Sequence, residues 1–135
     1  MQAPRLVFTR QDGLLWVTAA PFEFRVGTAA AAMRLVRAEH RRQPATGILI
    51  DAQAVTGRIS LVDRALFAVY VAGLHFHVPI AMVASEVVIH PDRFGQQVAR
   101  GLGLNLVVFT AAVDASDWLV HRHGKHPGGG AAEVP

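Results

Sequence analysis

Chemistry-bearing side chains gather between Asp51 and Asp63, in the segment DAQAVTGRISLVD. The apolar residues Ile48 to Ile50 before it read as a buried strand, and the apolar run after Ser60 reads as a helix. The segment therefore lies at the carboxyl end of a strand and the amino end of a helix. Open α/β sheets bind ligands at that position, and the unpaired N–H groups of a helix start favour an anion. Asp51 has two readings: a functional acid, or an acceptor of loop N–H groups that fixes the turn. Asp51 and Asp63 together offer a carboxylate pair for acid–base work, but nothing in their spacing sets their separation. Ser60-Leu61-Val62-Asp63 has the capping-box form, which assigns Ser60 as a helix N-cap with Asp63 in the first turn. Gly57 supplies a turn conformation that other residues resist. Arg58 either holds an anion over the helix start or stays solvated. Asp51, Gly57, Arg58 and Asp63 thus form a candidate ligand or partner loop.

The chain has 7 histidines and no cysteine. Without cysteine there is no thiol catalysis, no disulfide and no cysteine-based zinc site. His75 and His77 share a side if their segment is extended, and His90 stands further on. A zinc site needs three or more converging ligands, and no HExxH-type spacing is present, so no metal and no cofactor is expected. His121, His123 and His126 are suited only to adventitious metal capture. No P-loop, dinucleotide fingerprint, nucleophile elbow or kinase signature occurs. An enzyme built on the Asp51 to Ser60 turn is therefore the minor reading.

The elements that must position this loop follow from the hydrophobic pattern. With 135 residues, 52% of them hydrophobic and 17% charged, the chain is suited to one globular domain. Leu6 to Arg10 and Leu14 to Ala19 are β-rich runs around Gln11-Asp12-Gly13, a strong hairpin signal. Val26 to Arg42 has helical periodicity, with Ala29, Met33 and Val36 on one stripe and Arg34, Arg37 and Arg41 on another. The arginine stripe lacks interleaved aromatic residues, so it reads as a solvated face, and nucleic acid is not an expected partner.

From Leu61 to Leu74 the second helix is apolar nearly all round, which leaves a face in need of cover; Phe67 and Val71 are assigned to that face, away from Ala65 and Val69. Pro79 to Ala84 is a second buried strand, and Ser85 to Ile89 reads as a connector. Pro91 opens a third helix whose inner face is Phe94, Val98 and Leu102. Asn105 to Thr110 is the last strand, and Thr110 caps a final helix through Leu119. The order β-β-α-β-α-β-α-β-α predicts an α/β fold with a mostly parallel mixed sheet and an antiparallel strand at one edge. Residues 1–120 form this domain, and 121–135 form a flexible tail. The longest apolar run, Ala65 to Leu74, is far short of the roughly 20 residues of a membrane span. The start MQAPRLVFTRQDG has no signal-peptide architecture. A cytoplasmic protein without membrane association is expected.

Three stretches carry a family resemblance: Ile48-Leu49-Ile50-Asp51 with Val55-Thr56-Gly57; Asp63-Arg64 with His90-Pro91-Asp92-Arg93-Phe94-Gly95; and Val98-Ala99-Arg100-Gly101 with Val108-Phe109-Thr110 and Trp118-Leu119. In this order the chain resembles the SpoIIAA-like proteins, bacterial relatives of the STAS domain labelled STAS/SEC14 domain-containing. The resemblance covers roughly Leu6 to Leu119. It implies a small α/β sandwich and a regulatory switch in which a serine at the start of the second helix is phosphorylated by an anti-sigma-factor kinase. Thr56 and Ser60 are the corresponding phosphoacceptor candidates, although the switch proteins carry an Asp-Ser-Ser-Gly-like turn that this chain lacks.

The leading functional expectation is a non-catalytic regulatory or interaction module. It would act as a homodimer through the second helix, with a regulatory protein as a further partner. The alternative is a carrier or sensor of a small apolar ligand, held near Phe67, Tyr70, Val71 and Phe94.

Overall fold

The computed structural model describes residues 4–89 and 93–124. The chain opens with strands β1 (Leu6–Gln11) and β2 (Leu14–Ala19), paired antiparallel with Gln11 opposite Leu14. Asp12 and Gly13 both take left-handed backbone, at φ 55° and 80°. Their two-residue turn is of the primed kind, whose twist matches that of the strands it joins. A short strand β3 (Phe22–Glu23) precedes helix α1 (Val26–Arg42), and strand β4 (Gly47–Asp51) follows. Next come a short strand β5 (Val55–Thr56), helix α2 (Leu61–Gly73) and strand β6 (Ile80–Val83). Two helices, α3 (Glu86–Ile89) and α4 (Phe94–Gly101), lead to strand β7 (Leu106–Phe109) and helix α5 (Ala112–Gly124).

The main sheet has the order β1-β2-β4-β6-β7, with every pair parallel except β1 with β2. The sheet thus grows outward in chain order, each crossover adding one parallel strand at the next position. Strand alternation divides the core into two layers. Leu15, Val17, Ile48, Ile50, Ile80 and Leu106 face one side and pack with Met33 and Val36 of α1, Ala68 and Val71 of α2, and Ala99 of α4. Leu14, Leu49, Ala81 and Val83 face the other side, where Ala115 and Leu119 of α5 cover them. This is the mixed α/β sheet with an antiparallel edge that the element pattern predicts.

Several details differ from that pattern. Strands β3 and β5 pair as a separate parallel ribbon, joined further by the Phe24 N–H donating to Thr56 O at 2.8 Å. Residues 86–89 are a helical turn instead of plain connector. Pro91 lies outside the described residues, and α4 begins at Phe94 after Arg93 in left-handed backbone at φ 54°. Its buried residue is Ala99, while Leu102 is exposed. Helix α5 begins two residues after Thr110 and continues to Gly124, past the residue 120 boundary expected for the domain; residues 125–135 lie outside the described ones.

The sheet edge at β7 is closed by side chains of α4 and of Arg93, which precedes it. The Val108 N–H donates to Gln96 Oε1 at 2.7 Å, Arg93 donates to Val108 O, and Arg100 Nη1 donates to Leu106 O at 3.3 Å. These contacts occupy backbone groups that an open edge would present to another strand.

Helix α1 ends on a pH-sensitive contact. His40 Nδ1 accepts the Ala45 N–H at 3.2 Å, which requires the unprotonated nitrogen. Burial, and secondarily the charge of Arg10, hold the His40 pKa below its ordinary value. A depressed pKa means that the unfolded chain binds the proton first, so stability is present above the unfolded value of about 6.5 and is lost as pH falls below it. Thermal unfolding followed from pH 7.5 to pH 5.5 is therefore expected to show a falling midpoint. Replacing His40 with glutamine, which does not titrate, should flatten that dependence.

Candidate functional site

The loop after β4 is built from short-range hydrogen bonds. Asp51 Oδ1 accepts both the Gln53 N–H and the Gln53 side-chain amide, each at 3.1 Å, a side-chain-closed turn. The Ala52 N–H donates to Val83 O at 2.8 Å, anchoring the loop to β6, and the Val55 N–H returns to Ala52 O at 3.1 Å. Asp51 therefore serves as the acceptor that fixes the turn, and no hydrogen bond or ion pair joins it to Asp63 among the described residues. Gly57 has φ +105°, and a Cβ there would come within 3.1 Å of Glu23 Cγ. Its left-handed backbone lets the chain leave the β3–β5 ribbon.

Ser60 is the N-cap of α2, its Oγ accepting the Asp63 N–H at 3.0 Å. Asp63 sits in the first helical turn, where a carboxylate complements the helix dipole. The loop thus leaves Thr56, Arg58 and Ser60 exposed, with Asp51 turned to its own closure. Ser60→Ala removes the cap, and urea unfolding is expected to show a loss of about 1 kcal/mol, most of it retained on Ser60→Asp.

Helix α2 shows which side of its apolar cylinder is uncovered. Val71 is 1% exposed and Ala68 5%, whereas Val62 is 67%, Leu66 52% and Val69 53% exposed. The expected uncovered face at Phe67 and Val71 is therefore corrected: both turn toward the sheet, and the uncovered stripe is Val62, Leu66 and Val69. Positions 64, 68 and 71 repeat at helical spacing on the sheet side, and 62, 66 and 69 do so on the opposite side. An all-apolar helix gives periodicity no contrast from which to choose between them. Tyr70 lies at the flank, its hydroxyl accepting from Arg34 Nη1 at 2.8 Å with the guanidinium 5.9 Å from the ring centre. This pair links α2 to α1.

Beneath α2 lies a cavity of about 150 Å³ between the sheet and helices α1, α2 and α4. Phe24, Phe67, Val71, Ile50, Met82 and Leu106 supply much of its apolar wall, and Arg64, Arg93 and Gln96 are its polar residues. Phe24 meets Phe67 edge-on, with ring centres 5.7 Å apart. Of the four residues expected at an apolar pocket, Phe67 and Val71 line this one, and Tyr70 and Phe94 do not. Its sequence origin is a set of small residues: Ala29, Ala32, Ala68 and Ala99 line it from the helices, where larger side chains would fill the space. Alanine reads simply as a good helix former, which is why pattern alone passes over the cavity.

His75 and His77 are both exposed, and the left-handed His75 backbone, at φ 57°, interrupts the extension that would align their rings. His90 lies outside the described residues. Among the described residues no group of three histidine or acidic side chains is placed to hold a metal ion, and no helix is long and apolar enough to cross a membrane.

No protein-family model and no curated protein sequence matches the chain. A solved structure does: an anti-sigma factor antagonist from Mycobacterium paratuberculosis superposes with a TM-score of 0.59, covering 87% of this chain and 95% of that one at 19% sequence identity. The fold is the SpoIIAA/STAS type. It agrees with the SpoIIAA-like resemblance carried by the sequence motifs. In this frame the strand–turn–helix unit from β4 to α2 places exposed Ser60 at the head of the helix, and the exposed Val62–Leu66–Val69 stripe runs along it.

Proposed function

We propose that this chain is a non-catalytic regulatory module of the STAS type that works through protein–protein contact in the cytoplasm, first with a second copy of itself. The observation that carries this reading is the uncovered stripe Val62, Leu66 and Val69, with Leu61 also 49% exposed at its head. Three large apolar side chains in register on one helix face are what a partner surface buries. The similarity in fold to an anti-sigma factor antagonist supports a regulatory role. The hydrogen-bonded closure of Asp51 supports a structural role for the loop acid over a catalytic one. Ser60 is a better-placed phosphoacceptor than Thr56, because a phosphate at a helix start is favoured by the dipole and the free N–H groups.

The test is solution mass at micromolar concentration, by light scattering or native mass spectrometry. The expected result is a dimer for the unaltered chain and a monomer of unchanged helical content for Leu66→Glu. A monomer for the unaltered chain rejects the homodimer and leaves the stripe to a different regulatory protein.

The cavity favours a second reading, a carrier or sensor of a small apolar ligand. At about 150 Å³ it matches the size at which an apolar cavity in a protein interior takes up a single aromatic ring. It is well below the few hundred cubic ångströms typical of sites for drug-sized ligands, and a phospholipid is too large for it.

A further inference from the structure

Arg64 contributes a charge to the wall of the apolar cavity. It leaves the first turn of α2 half-buried, with Nε donating to Ile59 O at 3.1 Å and Nη1 to Val88 O. Both partners are neutral carbonyls. The ion pairs among the described residues join Arg10 and Arg42 to Glu39 and Arg25 to Glu23, and none includes Arg64. Its Nη2 has no hydrogen-bond partner among the described residues. Partial burial pushes its pKa down from the ordinary arginine value. Arg93 also lines the cavity but is exposed, so water meets its charge. Carbonyls hold the Arg64 guanidinium in place at an apolar space of single-ring size, and among the described residues no carboxylate pairs with it. That combination is complementary to an anion with a compact apolar body.

We propose that the cavity binds a small carboxylic acid, its ring or branched chain between Phe67, Val71 and Met82 and its carboxylate on Arg64. This assignment rests on the carrier reading and adds the charge of the ligand to it. The geometry restricts the body to about the size of one aromatic ring with a short side chain. A carboxylate gains two charge-assisted bonds to a guanidinium held in fixed orientation, whereas a neutral amide gains weaker ones.

The test compares phenylacetate with phenylacetamide, two probes of equal shape and different charge, on the full chain. Binding is followed by titration of the methyl NMR signals of Val71, Ile50 and Met82. Phenylacetate is expected to shift these signals with an affinity about tenfold or more above that of the amide. Arg64→Gln should bring the two affinities to within about twofold, a change in selectivity that a merely structural arginine would not produce. Ala68→Leu, which places a larger side chain into the cavity, should abolish the shifts with either probe. Should Arg64→Gln fail to fold, the acid-to-amide ratio in the unaltered chain decides the matter. Equal binding of both probes overturns the carboxylate assignment and leaves the apolar carrier standing. Absence of shifts with either probe at millimolar concentration overturns both.

Discussion

Leu49→Ala is expected to lower the stability of the protein by about 3–4 kcal/mol, within the range measured for leucine truncations in closed cores. Leu49 lies mid-way along β4, the middle strand of the five, and is 0% exposed. It faces the α5 side, with Leu14, Ala81, Val83, Ala115 and Leu119 in the same cluster. Hydrogen-bonded strands flank it on both sides, so the backbone has little freedom to collapse into the space left. Native stabilities of domains this size are about 5–15 kcal/mol, so the loss is a large fraction of the whole. At roughly 2–8 °C per kcal/mol, the melting temperature should fall by on the order of 10–20 °C. Differential scanning calorimetry measures this directly. Leu35→Ala is the control: Leu35 is 43% exposed on α1, and its truncation should stay within about 0.5 kcal/mol. Equal losses at the two positions would mean that α5 does not pack on this face as described.

The second large effect is a difference in sign. Ala68→Leu is expected to stabilise the protein by about 1 kcal/mol, because the added carbons enter existing empty space and gain apolar contact. Ala115→Leu is expected to destabilise it by about 1–3 kcal/mol through overpacking. Both alanines are buried helix residues facing the sheet, at 5% and 0% exposure. The physical distinction is that Ala68 lines the cavity and Ala115 does not. Parallel urea titrations of the two variants separate a real void from a uniformly packed core. If Ala68→Leu also destabilises by more than 1 kcal/mol, the space beneath α2 is closed in solution.

The candidate site was legible only in part. Ser60 declared itself as a cap, because a serine three residues before an acid at the head of an apolar run has few other uses. Gly57 declared the positive φ. For Asp51 the sequence left two roles open, and the choice came from Gln53, whose backbone and side chain both reach the carboxylate. The β3–β5 ribbon is not legible in the sequence because two-residue strands are too short to display a period. In the sequence Arg64 stands only within the Asp63-Arg64 resemblance motif; what sets it apart as a cavity residue is partial burial, which is a property of its neighbours. The covered position of Phe67 and Val71 is not legible in the sequence, because α2 has few polar residues to mark its solvent face.

By itself the sequence determined the alternation of strands and helices, the hairpin at Asp12-Gly13, the limits of α1 and the cap of α2. These depend on local rules of backbone freedom, periodicity and hydrogen bonding, each settled within a few residues. Only the tertiary structure decided which side of α2 is covered, where the buried alanines leave a void, and which cations border it. Those properties arise where three helices meet one sheet, and residues far apart in the chain set them jointly through the volume they fill or leave empty.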